Sequence, residues 1–201
     1  KNYLESINNF KKSITVLNYS ENKDVKYLSP YHALGVSFME IRNYKDAVRI
    51  LNEVIVKDEK YFKVYETLGI LHKDATDSNY QSYHISLDYL QKAAKIKPDH
   101  HVVKFRISQI YNILADKNKE SKNYKKMAKN STSAKKFAKQ SLKINKKYGG
   151  SHFELGYAEL YLCNKTSGIK SLTKAGKLDK RYRSEVKRIL KNVKDITGHC
   201  E

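Results

Sequence analysis

The sequence predicts an all-α protein built as a row of antiparallel helix pairs, and three observations point there. Only two prolines, Pro30 and Pro98, and eight glycines punctuate the 201 residues, so few places can break a helix. Apolar residues recur at helical spacing, whereas β-branched residues alternating with polar ones never persist beyond a few positions. The third observation is an internal repeat with a period of about 34 residues.

Residues 1–20 read as the second helix of a truncated upstream repeat. Ser6, Phe10 and Ser13 occupy its signature slots, with Ile7, Ile14 and Leu17 beside them. A lone second helix leaves an apolar face uncovered, so residues upstream of Lys1 are expected to cover it.

The first full repeat is 28–61. Tyr31, Leu34, Gly35 and Phe38 stand in its first helix, and Tyr44, Ala47, Leu51 and Val54 in its second. The second repeat, 62–100, carries Tyr65, Leu68 and Gly69, then Ser86, Leu90, Ala93 and Pro98 after a short insertion within 74–82. The third, 101–148, is the weakest match: Ile107, Ser108 and Tyr111, then Ala134, Ala138 and Ser141 beyond a basic insertion at 116–130. That insertion, rich in lysine and asparagine, has the composition of a mobile segment. The fourth, 149–182, places Leu155, Gly156, Gly168, Leu172 and Ala175 with no insertion, and Gly149-Gly150 reads as the linker before its first helix. A capping helix is expected over 183–198, N-capped by Ser184, with Val186, Ile189, Leu190 and Val193 as its apolar stripe.

Each signature type has a packing reason. Small residues at position 8 of the first helix and at positions 20 and 27 of the second let two helices approach closely, while large residues beside them fill the remaining space.

On these residues the chain resembles the tetratricopeptide repeat (TPR) family over 28–182. The resemblance implies a right-handed α-solenoid of antiparallel helix pairs whose function is to hold a protein or peptide partner, with the first helices lining a groove. Positions 2, 5, 9 and 12 of each first helix are rotated by about 100° from the core stripe and so face that groove. The groove candidates are His32, Val36 and Met39 from the first repeat, and Lys63, Glu66, Ile70 and Lys73 from the second. The third gives Phe105, Arg106, Gln109 and Asn112, and the fourth Phe153 and Tyr157. Aliphatic and aromatic side chains interleaved with polar ones suit an amphipathic helix or extended peptide. Packing between neighbouring helices is the competing reading for Phe105 and Phe153. Family members that capture acidic chaperone tails carry lysine, asparagine and arginine at fixed positions. Here those positions hold His32, Val36, Thr67, Val102 and Arg106, of which only Arg106 fits.

Charge is unevenly spread. Residues 1–100 carry 15 basic and 13 acidic residues, and 101–201 carry 25 and 8. The basic patch is Lys117, Lys119, Lys122, Lys125, Lys126, Lys129, Lys135, Lys136 and Lys139, within a 117–147 segment of twelve lysines and one glutamate. Such a field speeds encounter with an acidic protein or an anionic membrane surface. It equally fits a solvated face without a dedicated ligand. Six arginines against thirty-four lysines argue against base-specific nucleic-acid readout.

No nucleotide-binding, metalloprotease, serine-hydrolase or C-x-x-C motif occurs, so neither enzyme activity nor a cofactor is expected. His100-His101 reads as part of an inter-repeat turn, and no metal site is expected. Cys163 and Cys200 are far apart in sequence and fit neither a disulfide framework nor a paired zinc motif, which predicts two free thiols. No apolar run approaches the roughly 18 residues that span a bilayer, and residues 1–20 lack signal-peptide organisation. Because Lys1 rather than Met leads the chain, a removed upstream segment is expected. A cytoplasmic or periplasmic location, or membrane association through that segment, remain open, as does the oligomeric state.

Overall fold

The structure, a computed structural model, describes residues 2–19 and 28–200 and contains no strand among them. Lys1 and Ser20 of the first segment lie outside the described residues. No described helix is long and apolar enough to cross a membrane. The chain divides into two compact bodies, Lys1–Lys97 and Pro98–Glu201.

In the N-terminal body, α1 (Tyr3–Tyr19) packs on α2 (Leu28–Glu40), which pairs with α3 (Tyr44–Lys57), and α4 (Phe62–Asp74) pairs with α5 (Tyr83–Ile96). Ile7 is buried on α1, whereas Leu4 and Val16 remain exposed. Each hairpin closes at a small residue. A Cβ on Gly35 would sit 2.7 Å from the Leu51 side chain, and one on Gly69 would sit 2.6 Å from that of Leu90. The Ser86 hydroxyl donates to the Gly69 carbonyl across the second contact, which uses the small residue's polar atom as well as its size.

The C-terminal body contains α6 (His101–Glu120) with α7 (Tyr124–Ile144), and α8 (Gly149–Tyr161) with α9 (Lys165–Leu178). Glycine meets glycine across α8 and α9: a Cβ on Gly156 would lie 2.8 Å from the Gly168 carbonyl oxygen, and one on Gly168 would lie 2.9 Å from that of Gly156. Gly149 and Gly150, expected as a linker, are instead buried in the first turn of α8. A Cβ on Gly150 would lie 2.9 Å from both the Phe105 ring and the Tyr182 hydroxyl.

The insertion at 116–130 is not a mobile loop. Helices α6 and α7 are 20 and 21 residues long, against 13 and 14 for α2 and α3, so each arm of the hairpin is longer by seven residues. Seven residues make about two turns, so the extension keeps each apolar face in phase. The extra residues of the second repeat behave differently and form the loop before α5. It is held by the Ser82 amide donating to the His72 carbonyl at 2.8 Å and by His72 Nδ1 at 2.6 Å from the Tyr80 carbonyl.

Three hairpins share a turn that the sequence reading did not single out. Arg42, Lys122 and Cys163 each adopt a positive φ, and an asparagine follows each as the N-cap of the next helix. The Asn43 and Asn123 side chains accept from the amides of Asp46 and Lys126, which satisfies a donor that would otherwise be orphaned at the helix start.

The expected single capping helix is broken. A 3-10 turn, Lys180–Tyr182, leads into α10 (Arg183–Lys191), and α11 (Val193–Thr197) follows. Ser184 lies inside α10, and the Asp179 carboxylate caps the preceding turn through the Arg181 amide. The break comes at Asn192, whose amide bonds to the Arg188 and Ile189 carbonyls, yet the apolar stripe continues across it. Val186, Ile189 and Val193 form one core cluster with Leu160 and Leu172.

Candidate functional site

The first helices α2 and α4 form the wall of a cleft of about 280 Å³ in the N-terminal body, lined by Met39, Ile70, Arg42, Tyr44 and Asp74 among others. Met39 and Ile70, both predicted groove residues, therefore come together. His32 and Val36 are half-buried on α2. The His32 imidazole lies 2.8 Å from the Thr67 hydroxyl and meets Tyr61 edge-on. Burial first, and then Lys63, lower its pKa and favour the neutral ring. Glu66 is half-buried and Lys63 exposed, while Lys73 is bound to Asp74.

A second cleft, of about 260 Å³, lies in the C-terminal body between α6, α8 and α10. Gln109, Asn112, Phe153 and Tyr157, four predicted groove residues, line it together with Ile113, Asp116, Glu154, Glu185 and Arg188. Asn112 is buried, and its Nδ2 donates to the Glu154 carbonyl at 2.9 Å and carboxylate at 2.7 Å, tying α6 to α8. The Tyr157 hydroxyl donates to Asp116 at 3.3 Å, and that of Tyr161 donates to the same carboxylate. Phe153 stacks on Tyr182 at 4.8 Å and, more distantly, on Tyr157. Burial is the main cause that pushes the Tyr157 and Tyr182 phenols up to about 12. The Tyr161 phenol is also raised, first by burial and then by Tyr157 and Asp116.

Two predicted groove residues occupy other surroundings. Phe105 is buried edge-on against Tyr148 at 5.2 Å and beneath Gly150, the interhelical packing alternative, and does not line the cleft. Arg106 is half-buried and is also absent from the lining.

Asp116, Glu154, Glu185 and Arg188 escaped the sequence reading. The Asp116 signal was present, because 105, 109, 112 and 116 continue one helical stripe. That stripe was followed only as far as a helix of standard length. Arg188 and Glu185 come from α10, whose approach to α6 no repeat pattern specifies.

The lysines of the basic patch divide into two groups. Lys125, Lys129, Lys136 and Lys139, continued by Lys143, are exposed on one side of α7, within an arc of about 80° over about 27 Å of helix. Lys126 is exposed beside them, and Lys117 and Lys122 are exposed near the preceding turn. Lys119 and Lys135 are half-buried: Lys119 donates to the Asp195 carbonyl at 2.9 Å, and Lys135 lies 3.6 Å from the Glu159 carboxylate. Helix α7 contains no acidic residue, so nothing on it neutralises the exposed row.

The two cysteines are not free thiols. Cys163, in the α8–α9 turn, is disulfide-bonded to Cys200 in the 3-10 turn after α11. Proximity across 37 residues of sequence depends on how α10 and α11 fold back, which spacing alone does not reveal. His199 adjoins the bridge, its Nε2 3.0 Å from the Tyr161 carbonyl and its ring stacked on Tyr124.

No family model matches the chain, and no curated protein matches it in sequence. Solved structures do. A crystal structure of MamA superposes with a TM-score of 0.65 at 15% identity, covering 90% of this chain and 85% of that one. A second MamA structure gives 0.62 at 17% identity, covering 89% of each chain. YrrB, described as a TPR protein with an unusual peptide-binding site, gives 0.61 at 16% identity, covering 93% of this chain and 88% of that one. Likeness at this level of identity establishes fold, and it agrees with the small-residue crossings found inside three of the helix pairs, α2–α3, α4–α5 and α8–α9: the chain is an all-α solenoid with the tetratricopeptide-repeat fold.

Proposed function

We propose that the chain is a protein-interaction module that holds a peptide or helical segment of a partner protein against its first helices. One observation carries this reading. In each body a solvent-open cleft falls on first-helix residues that the core leaves partly exposed, Met39 and Ile70 in one and Gln109, Phe153 and Tyr157 in the other. A mixed apolar and polar lining suits a segment that buries a few anchors and hydrogen-bonds through the remainder. The description of YrrB as carrying a peptide-binding site supports the same use of this fold.

The exposed lysine row on α7 supports a second reading, an electrostatic tether to an anionic membrane surface or other polyanion. Salt separates the two. Affinity capture from the source cells should be repeated at low and high salt with wild type, Ile70→Asp, Tyr157→Ala and a triple Lys129→Gln, Lys136→Gln, Lys139→Gln variant. Cleft binding predicts capture that survives salt and falls with Ile70→Asp or Tyr157→Ala. Tethering predicts steep loss with salt and with the lysine variant. Capture indifferent to every change would overturn both.

A further inference from the structure

The 260 Å³ cleft of the C-terminal body has the opposite electrostatic character from the body around it. Residues 101–201 carry 25 basic against 8 acidic residues, yet three of those eight, Asp116, Glu154 and Glu185, line the cleft, with Arg188 as its single cationic side chain. Arg188 is held on the rim by Glu185 through bonds of 3.0 and 2.5 Å. The formal charge of the lining is therefore negative.

A second observation is independent of charge. Asn112 is only 3% exposed and lines the cleft, and both of its described hydrogen bonds run from Nδ2 to Glu154. Its Oδ1 is buried without a hydrogen-bond partner. A buried acceptor with nothing to accept from is costly, and a ligand N–H would remove that cost. Close by, the Asp116 carboxylate already accepts from two phenols, which fix its orientation, and the Phe153 and Tyr157 rings form an aromatic wall. Orphaned acceptor, oriented carboxylate and π-faces together suit an N–H-rich cation on an alkyl stem.

We infer that this cleft receives the basic side chain, lysine or arginine, of a segment held by the first helices. The inference rests on the interaction reading above and adds the chemistry of the anchor. The lysine face of α7 and this cleft would then select opposite charges on the same body. Arg188 shares the lining with Asp116 and acts as a resident competitor.

The test is an NMR titration of the full chain with four capped amino acids: N-acetyl-arginine amide, N-acetyl-lysine amide, N-acetyl-glutamine amide and N-acetyl-glutamate amide. The basic probes should give saturable shifts of the Asn112 side-chain amide and of Tyr157, and the other two should not. Asp116→Asn, which retains an acceptor for the phenols, should weaken binding about tenfold, the scale for losing one partly screened charge at a cleft. Glu185→Gln at the half-exposed rim serves as a second variant in case Asp116→Asn perturbs the fold, and it should also weaken binding. Arg188→Gln should strengthen it a few-fold. Equal shifts from the glutamine probe, or no response to any of the three substitutions, overturn the inference. So does absence of binding by both basic probes. If either result appears while partner capture still depends on Tyr157, the interaction reading stands and only the anchor assignment falls.

Discussion

The cleft wall, on α6, α8 and α10, and the lysine face, on α7, lie within one body, but sequence constrains them in different ways. On the wall, Asn112 is fixed to Glu154, and Asp116 to the Tyr157 and Tyr161 hydroxyls, across α6 and α8. On the outer side of α7, Lys125, Lys129, Lys136 and Lys139 project into solvent. The proposed binding role of the wall would therefore be coupled to stability, because a change there disturbs packing and polar satisfaction together. The lysine face separates them, since its charge is felt at a distance and its side chains support nothing beneath.

The sharpest way to break the wall is from behind. Gly156→Leu would drive a side chain into Leu172 and the Gly168 carbonyl, 2.7 and 2.8 Å from the modified position, and should destabilise the protein by about 3 kcal/mol. Thermal denaturation by circular dichroism measures this. An unchanged midpoint would mean that α8 and α9 do not cross where the structure has them.

Reduction comes next in size. The disulfide ties the residues after α11 to the α8–α9 turn, and α10, which carries Arg188, lies within the closed loop. Cys163→Ser should cost about 2–4 kcal/mol through the freed unfolded chain. A dithiol reductant should lower the wild-type midpoint while leaving the variant's unchanged.

Alkaline pH probes the phenols of the wall and of its neighbour Tyr182. Tyr157 and Tyr182 keep their protons up to about 12 when folded, whereas an unfolded tyrosine loses its proton near 10. Above pH 10 the unfolded state thus binds fewer protons. The stabilisation is fully present below that pH and disappears as pH rises toward 12. Tyrosinate absorbance should show a late-titrating class that Tyr157→Phe diminishes.

The smallest effect on stability belongs to the lysine face. Replacing Lys129, Lys136 and Lys139 with glutamine should move the melting midpoint by no more than about 1–2 °C, as for other surface changes. The same variant should show weaker, less salt-dependent retention on heparin. A large loss of stability would mean that these lysines support packing after all.

The contrast also explains what could be read from sequence. Helix pairing was legible at Gly35, Gly69 and Gly156, because close approach demands a small residue and a fixed period repeats that demand. The lysine row was legible as composition, though its alignment along one side of α7 required knowing that the whole segment is helical. Four of the nine cleft residues were legible, Gln109, Asn112, Phe153 and Tyr157 on the groove stripe. Asp116 was missed because the stripe was followed only over a helix of standard length, which ended it a turn too soon. Glu185, Arg188 and the Cys163–Cys200 bond depend on α10 and α11 folding back, a tertiary event without a local signature.

The seven-residue extension of both α6 and α7 has a consequence for how such a chain changes length. A helical hairpin can be lengthened like a ladder, provided rungs are added equally to both rails and in near-whole turns. The turn at Lys122-Asn123 then moves outward by about 10 Å without rotating. Insertions out of phase with whole turns would swing polar residues into the seam. In this protein the added rungs include Asp116 on one rail and Lys125 and Lys129 on the other, so the lengthened hairpin carries both an acid that lines the cleft and the start of an exposed row of bases.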